Sequence, residues 1–118
     1  MNKARRNILF GISTNLSILQ DRITNELVTE ELESIKEELQ SLKERLDECR
    51  EDEENYADNM PENLQGSTRY DNAMDAVSNM EDAEDNIEEA INSIDNGDFE
   101  EAADYVSDAI DNIQDSTF

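Results

Sequence analysis

From Leu9 onward the apolar residues Ile12, Leu16, Leu19, Ile23, Leu27, Val28, Leu32, Ile35, Leu39, Leu42, Leu46 and Cys49 return mostly every three or four positions, with polar residues between them. That spacing predicts helix, because residues three and four apart share one helical face. From Val28 to Cys49 the steps alternate 4 and 3 without a break, a heptad seam with Leu32, Leu39 and Leu46 on one set of positions and Ile35 and Leu42 on the other. The register slips between Ile23 and Val28, where Thr24 and Thr29 are both suited to cap a helix. Two readings of residues 1–57 follow: a pair of helices meeting at 24–29, or one long element with a kink, of which the second is preferred. The seam ends in Glu51-Asp52-Glu53-Glu54.

The only proline, Pro61, and Gly66 lie in the next polar stretch and predict a connection over residues 58–67, since proline lacks a backbone donor and turns the preceding residue away from helix. Ser67 or Thr68 then caps a helix with Tyr70, Ala73, Met74, Val77, Met80, Ala83, Ile87, Ala90, Ile91 and Ile94 at core spacing. Asn96-Gly97 ends it, and Asp98-Phe99-Glu100-Glu101 reads as a capping box opening a last helix. On that helix Phe99, Ala102, Ala103, Val106, Ala109, Ile110 and Ile113 are expected to face inward. So short a connection predicts an antiparallel hairpin. The expected fold is all-α, a single domain in which a coiled-coil-like scaffold (1–57), a connection (58–67) and an acidic helical hairpin (68–118) pack together.

Charge changes this picture of an ordinary small bundle. The 118 residues carry 32 acidic and 9 basic side chains, for a formal net charge of -23. Residues 1–50 are nearly balanced at -2, and the remaining -21 lies beyond, where Arg69 is the one cation. In the second half Asp71 and Asp75, Glu81 and Asp85, and Asp85 and Glu89 stand four residues apart, as does Glu88 from Glu84. Each such like-charged helical pair costs roughly 0.2 to 0.5 kcal/mol. On the last helix Glu100, Asp104, Asp108, Asp111 and Asp115 form one stripe, with carboxylates about every 6 Å, comparable to successive phosphates of a nucleic-acid strand. Solubility alone needs far less charge, so these carboxylates other than Glu84, eleven in all, are the candidate binding residues for a basic partner.

The same composition excludes much else. With no His or Trp, three Gly and a lone Cys49, the chain lacks the material for a nucleophile triad, a zinc site or a phosphate loop, so no catalytic residue, metal or cofactor is expected. The stretch from Asn92 to Ala103 has Gly97 at the sixth place of a calcium loop, but Ile94 and Ala103 occupy ligand places. Direct binding to nucleic acid or to an anionic membrane is opposed by the charge. The uncharged run from Asn7 to Gln20 is broken by Ser13, Thr14, Asn15 and Ser17, unlike a secretory leader, and one cysteine suits a reducing, cytoplasmic setting.

The run Asn59-Met60-Pro61-Glu62-Asn63-Leu64-Gln65-Gly66-Ser67-Thr68-Arg69-Tyr70, with the opening Met1-Asn2-Lys3-Ala4-Arg5-Arg6, resembles an uncharacterised family of small acidic helical proteins of Gram-positive bacteria and their phages or prophages. The chain departs from that pattern in its apolar stretch from Ile8 to Leu27 and in having no Lys after Lys43. What the resemblance implies is a mobile-element setting, where compact polyanions act as decoys for the nucleic-acid groove of a host defence enzyme. The leading expectation is accordingly a phage-encoded, DNA-mimic-like inhibitor of a basic host protein. The alternative is a structural or adaptor protein that oligomerises, for instance as a homodimer, or docks through the seam Leu32, Ile35, Leu39, Leu42 and Leu46.

Overall fold

The computed structural model describes residues 1–24 and 29–117, with the side chains of residues 29 and 30 left aside. Four helices account for nearly all of this: α1 (Lys3–Thr24), α2 (Thr29–Asp58), α3 (Thr68–Asp95) and α4 (Phe99–Ser116), with a short 3-10 turn at Glu62–Leu64. They form an up-and-down bundle 55 Å long, in which each helix packs along two neighbours and α4 closes back onto α1. Cross-links give the directions. Arg5 reaches Glu53 and Arg22 reaches Glu38, so α1 and α2 run antiparallel. Lys36 reaches Asp95 and Lys43 reaches Glu88, which sets α3 antiparallel to α2.

The expected kinked single element is therefore corrected to two antiparallel helices. A continuous helix would leave its apolar stripe half uncovered, whereas folding back lets Leu9, Ile12, Leu16, Leu19 and Ile23 share one core with Ile35, Leu39, Leu42 and Leu46. Thr24 belongs to the last turn of α1 and donates its hydroxyl to the Asp21 carbonyl instead of capping a new helix. Val28, the first member of the seam, and Leu27 before it lie outside the described residues, as does any cap by the Thr29 side chain. The seam itself is spent inside the chain: Ile35, Leu39, Leu42 and Leu46 are buried and Leu32 packs against them half-buried. Its buried residues are covered within the chain, where α2 packs along α1 and α3.

Nor does the seam stop at the acidic run. Glu53, Ala57 and Met60 continue it into the buried interior, and Glu53 is fully inaccessible. Its Oε2 accepts a hydrogen bond from Nε of Arg5, which also lies 5.3 Å over the ring of Tyr56, while its Oε1 has no partner. A buried carboxylate needs such a cation, since moving an isolated charge out of water costs several kcal/mol.

The C-terminal hairpin is the tightest part of the bundle. Ala76, Ala83 and Ala90 recur every seven residues along α3 and are buried in the same core as Ala102 and Ala109 of α4, and such small side chains let the two backbones approach. Ser67 caps α3 by accepting from the Tyr70 amide at 3.3 Å. Between α3 and α4, Gly97 takes a positive φ of 79°, and the amides of Gly97 and Asp98 donate to Ile94 and Ser93 carbonyls at 3.0 and 2.8 Å. This turn replaces the expected capping box. With its amide committed backward and ψ held at 72°, Asp98 makes no side-chain cap. Phe99 is likewise corrected from core to surface: as the first residue of α4 it projects beyond the bundle and is 38% exposed.

Candidate functional site

The surplus charge emerges on one side because of which cations face which helix. Lys36, Lys43 and Arg50 of α2 all turn toward α3, where they meet Asp95 at 2.6 Å, Glu88 at 3.4 Å and Glu84 at 3.8 Å. Asp95, with Glu33, holds Lys36 firmly charged and pushes its pKa up to about 12. The flank of α3 against α2 is thereby part-neutralised. Among the described residues no carboxylate on the rest of α3 or on α4 forms an ion pair, and Arg69 at the start of α3 is the one cation those two helices carry.

All eleven carboxylates singled out from the sequence are exposed. At about 100° per residue, Asp71, Asp75, Asp85 and Glu89 lie within an arc of about 80° on the outer side of α3. Glu100, Asp104, Asp108, Asp111 and Asp115 occupy a similar arc on α4. Glu81 and Glu88 do not join them: they turn toward α2, where Glu88 meets Lys43. Asp82 does belong to the α3 stripe and was missed, since a search for pairs four apart passes over its spacing of seven from Asp75 and from Glu89. Between the stripes runs a second unforeseen feature, a ladder of Asn72, Asn79 and Asn86 at intervals of seven. Asn86 donates to the Asn112 side chain at 2.7 Å, and Asn79 to the Asp115 carbonyl at 3.4 Å. Two of these neutral amides thus bridge α3 to α4. The negative field is felt by Tyr105 of α4, whose hydroxyl is held above its usual pKa by Glu101, by partial burial and by Glu89 across the hairpin.

Two other groups bear on chemistry. Cys49 is buried, and desolvation pushes its thiol up to about 11, so it is un-ionised at neutral pH and no nucleophile. Glu84, with its side chain only 14% exposed, has its pKa pushed up to about 7, first by desolvation and then by the neighbouring Asp47 carboxylate. Arg50 stands 3.8 Å from Oε1, too far for the hydrogen bond that would offset them, and this oxygen has no donor. Because the folded state holds this proton more tightly than the unfolded chain, with its value near 4.5, Glu84 stabilises the bundle most in acid. That contribution fades as pH rises to about 7. Glu84→Gln is neutral at every pH, so its melting temperature should exceed the parent's by a margin that widens from pH 4 to pH 8, as followed by circular dichroism. An unchanging margin would show that Glu84 does not carry the effect.

Among the described residues no group of three or more Cys, Asp or Glu is placed to hold a metal ion, and no helix is long and apolar enough to cross a membrane. Comparison of the chain with protein-family models, with curated proteins and with solved structures returned no match.

Proposed function

We propose that the chain is a non-enzymatic binding protein whose α3 and α4 stripes occupy the nucleic-acid-binding surface of a basic partner, acting as an inhibitor of that partner. One observation carries this reading: two parallel rows of exposed, uncompensated carboxylates are held at fixed separation by a hydrogen-bonded amide ladder on a close-packed hairpin. Like charges so arranged oppose folding, and a partner that supplies cations relieves that repulsion on binding. A hollow of about 300 Å³ between the helices, lined in part by Asp75, Asn79 and Asp115, has the volume and charge to receive a lysine or arginine head. A host defence enzyme as the partner is the form of this proposal that the resemblance to proteins of phages and prophages suggests, with the host cytoplasm as its setting.

Displacement of fluorescent duplex DNA from a basic DNA-binding protein, followed by anisotropy, tests it. The chain should displace the DNA, less so as salt rises, and the Asp104→Asn, Asp108→Asn, Asp111→Asn triple variant should lose about tenfold or more in potency at ~0.1 M salt. Displacement that ignores both salt and these substitutions would sink the reading. Equal binding to lysozyme, a basic protein with no nucleic-acid groove, would reduce it to non-specific attraction.

A further inference from the structure

We infer that the outer strip of α1 is a contact between two copies of this chain, which meet antiparallel across a two-fold axis. This surface faces away from α3 and does not depend on the acidic stripes.

Helix α1 differs from the rest of the molecule in charge. It holds Lys3, Arg5, Arg6 and Arg22 against Asp21 alone, for a net +3, in a chain of net -23. The buried or paired members of that set are already committed: Arg5 to Glu53, Arg22 to Glu38 at 3.1 Å, and Arg6 half-buried with Nη1 donating to the Met1 carbonyl. What remains on the outside is a strip with heptad steps 4, 3, 4, 3, 4: Lys3, Asn7, Phe10, Thr14, Ser17 and Asp21, all exposed. No charge lies between Arg6 and Asp21. Phe10 is 52% exposed, and Ile18 at its flank 53%.

The strip is complementary to itself in one orientation. Turned antiparallel about a two-fold axis level with residue 12, it sets Lys3 against Asp21 of the second copy, Asn7 against Ser17 and Phe10 against Thr14, each pairing made twice. Neither Lys3 nor Asp21 makes an ion pair within the chain among the described residues, so both end charges are free to do this. A parallel pairing would instead oppose lysine to lysine and aspartate to aspartate.

For a molecule of such charge, this neutral strip is also where two copies approach with least repulsion. The acidic face of a second copy is the weaker occupant, since the strip offers it no net positive charge. From Lys3 to Asp21 the strip spans about 27 Å at one helix width, short of the ~800 Å² per partner of a tight interface, so the dimer is weak and concentration-dependent.

Sedimentation equilibrium from about 10 µM to about 1 mM reads it directly. The weight-average mass should climb from 13.5 kDa toward twice that value and no further. Phe10→Asp should hold the mass at the monomer value throughout, with helicity by circular dichroism unchanged, whereas Ser78→Asp on exposed α3 should leave association intact. Lys3→Asp and Asp21→Lys should each weaken association about fivefold or more, and the two together should restore it. A monomer at every concentration overturns the inference. So do assemblies that grow past two chains, a dimer indifferent to Phe10→Asp, and a double charge exchange that fails to rescue.

Discussion

Leu39→Asp is expected to unfold the protein at neutral pH rather than to dissolve a complex. Leu39 is fully inaccessible, in the middle of α2 and in contact with the common core. Truncation of such a leucine to alanine costs about 2 to 5 kcal/mol, and burying an unpaired carboxylate in its place adds several more. A chain of this length has roughly 6 to 18 kcal/mol of total stability, and the self-repulsion of 23 excess charges works against it. Far-UV circular dichroism at 25 °C should show the helical signal lost for Leu39→Asp. Leu39→Ala should retain it, with a lower urea midpoint. A variant that keeps full helicity and changes only its mass in solution would place the seam at an interface after all and overturn the assignment of Leu39 to the core.

The second large effect concerns the ion pair at the end of the bundle. Arg5→Met should cost about 3 to 5 kcal/mol, because it leaves a buried carboxylate with neither oxygen partnered. Glu53→Met should cost less, since the Arg5 side chain retains 13% exposure while Glu53 has none. Near the start of α1 the freed guanidinium can swing into water and keep its packing against Tyr56. The double variant should regain most of the loss, as apolar replacements of buried ion pairs commonly do. Urea titrations of the four proteins give the coupling. Equal costs for the two single variants, with no recovery in the double, would mean the pair contributes by packing alone.

The helices themselves were legible in the chain, and so was the connection between Asp58 and Thr68, because each rests on local chemistry: spacing, proline, a serine cap. The acidic stripe of α4 was legible for the same reason, since five carboxylates at steps of three and four define a helical face without reference to anything else. Glu53 was not. It lies in a run of four acidic residues that reads as solvated, and only its place four residues after Cys49 and four before Ala57 betrays a core position. Its tolerance of burial depends on Arg5, which is 48 positions away. The same holds for the split of the α3 acids into a neutralised flank and a bare one. Lys36, Lys43 and Arg50 lie among acidic residues of α2 itself, and what they neutralise on α3 depends on that helix lying beside them.

Alone, then, the sequence determined which residues form helices, which stripe of each is apolar, and that the negative charge is concentrated beyond residue 50, all properties of neighbours within one turn or two. Tertiary structure decided that the heptad seam is covered by the chain's own helices and that α1 folds back antiparallel on α2. It also decided that the uncompensated carboxylates face one way and the neutral strip of α1 another. Hydrophobic burial is non-directional: an apolar stripe specifies that something must cover it and leaves the identity of the cover to the whole chain. Charge is long-ranged but screened, so whether a carboxylate is paired or bare depends on which cation the packed backbone brings within a few ångströms.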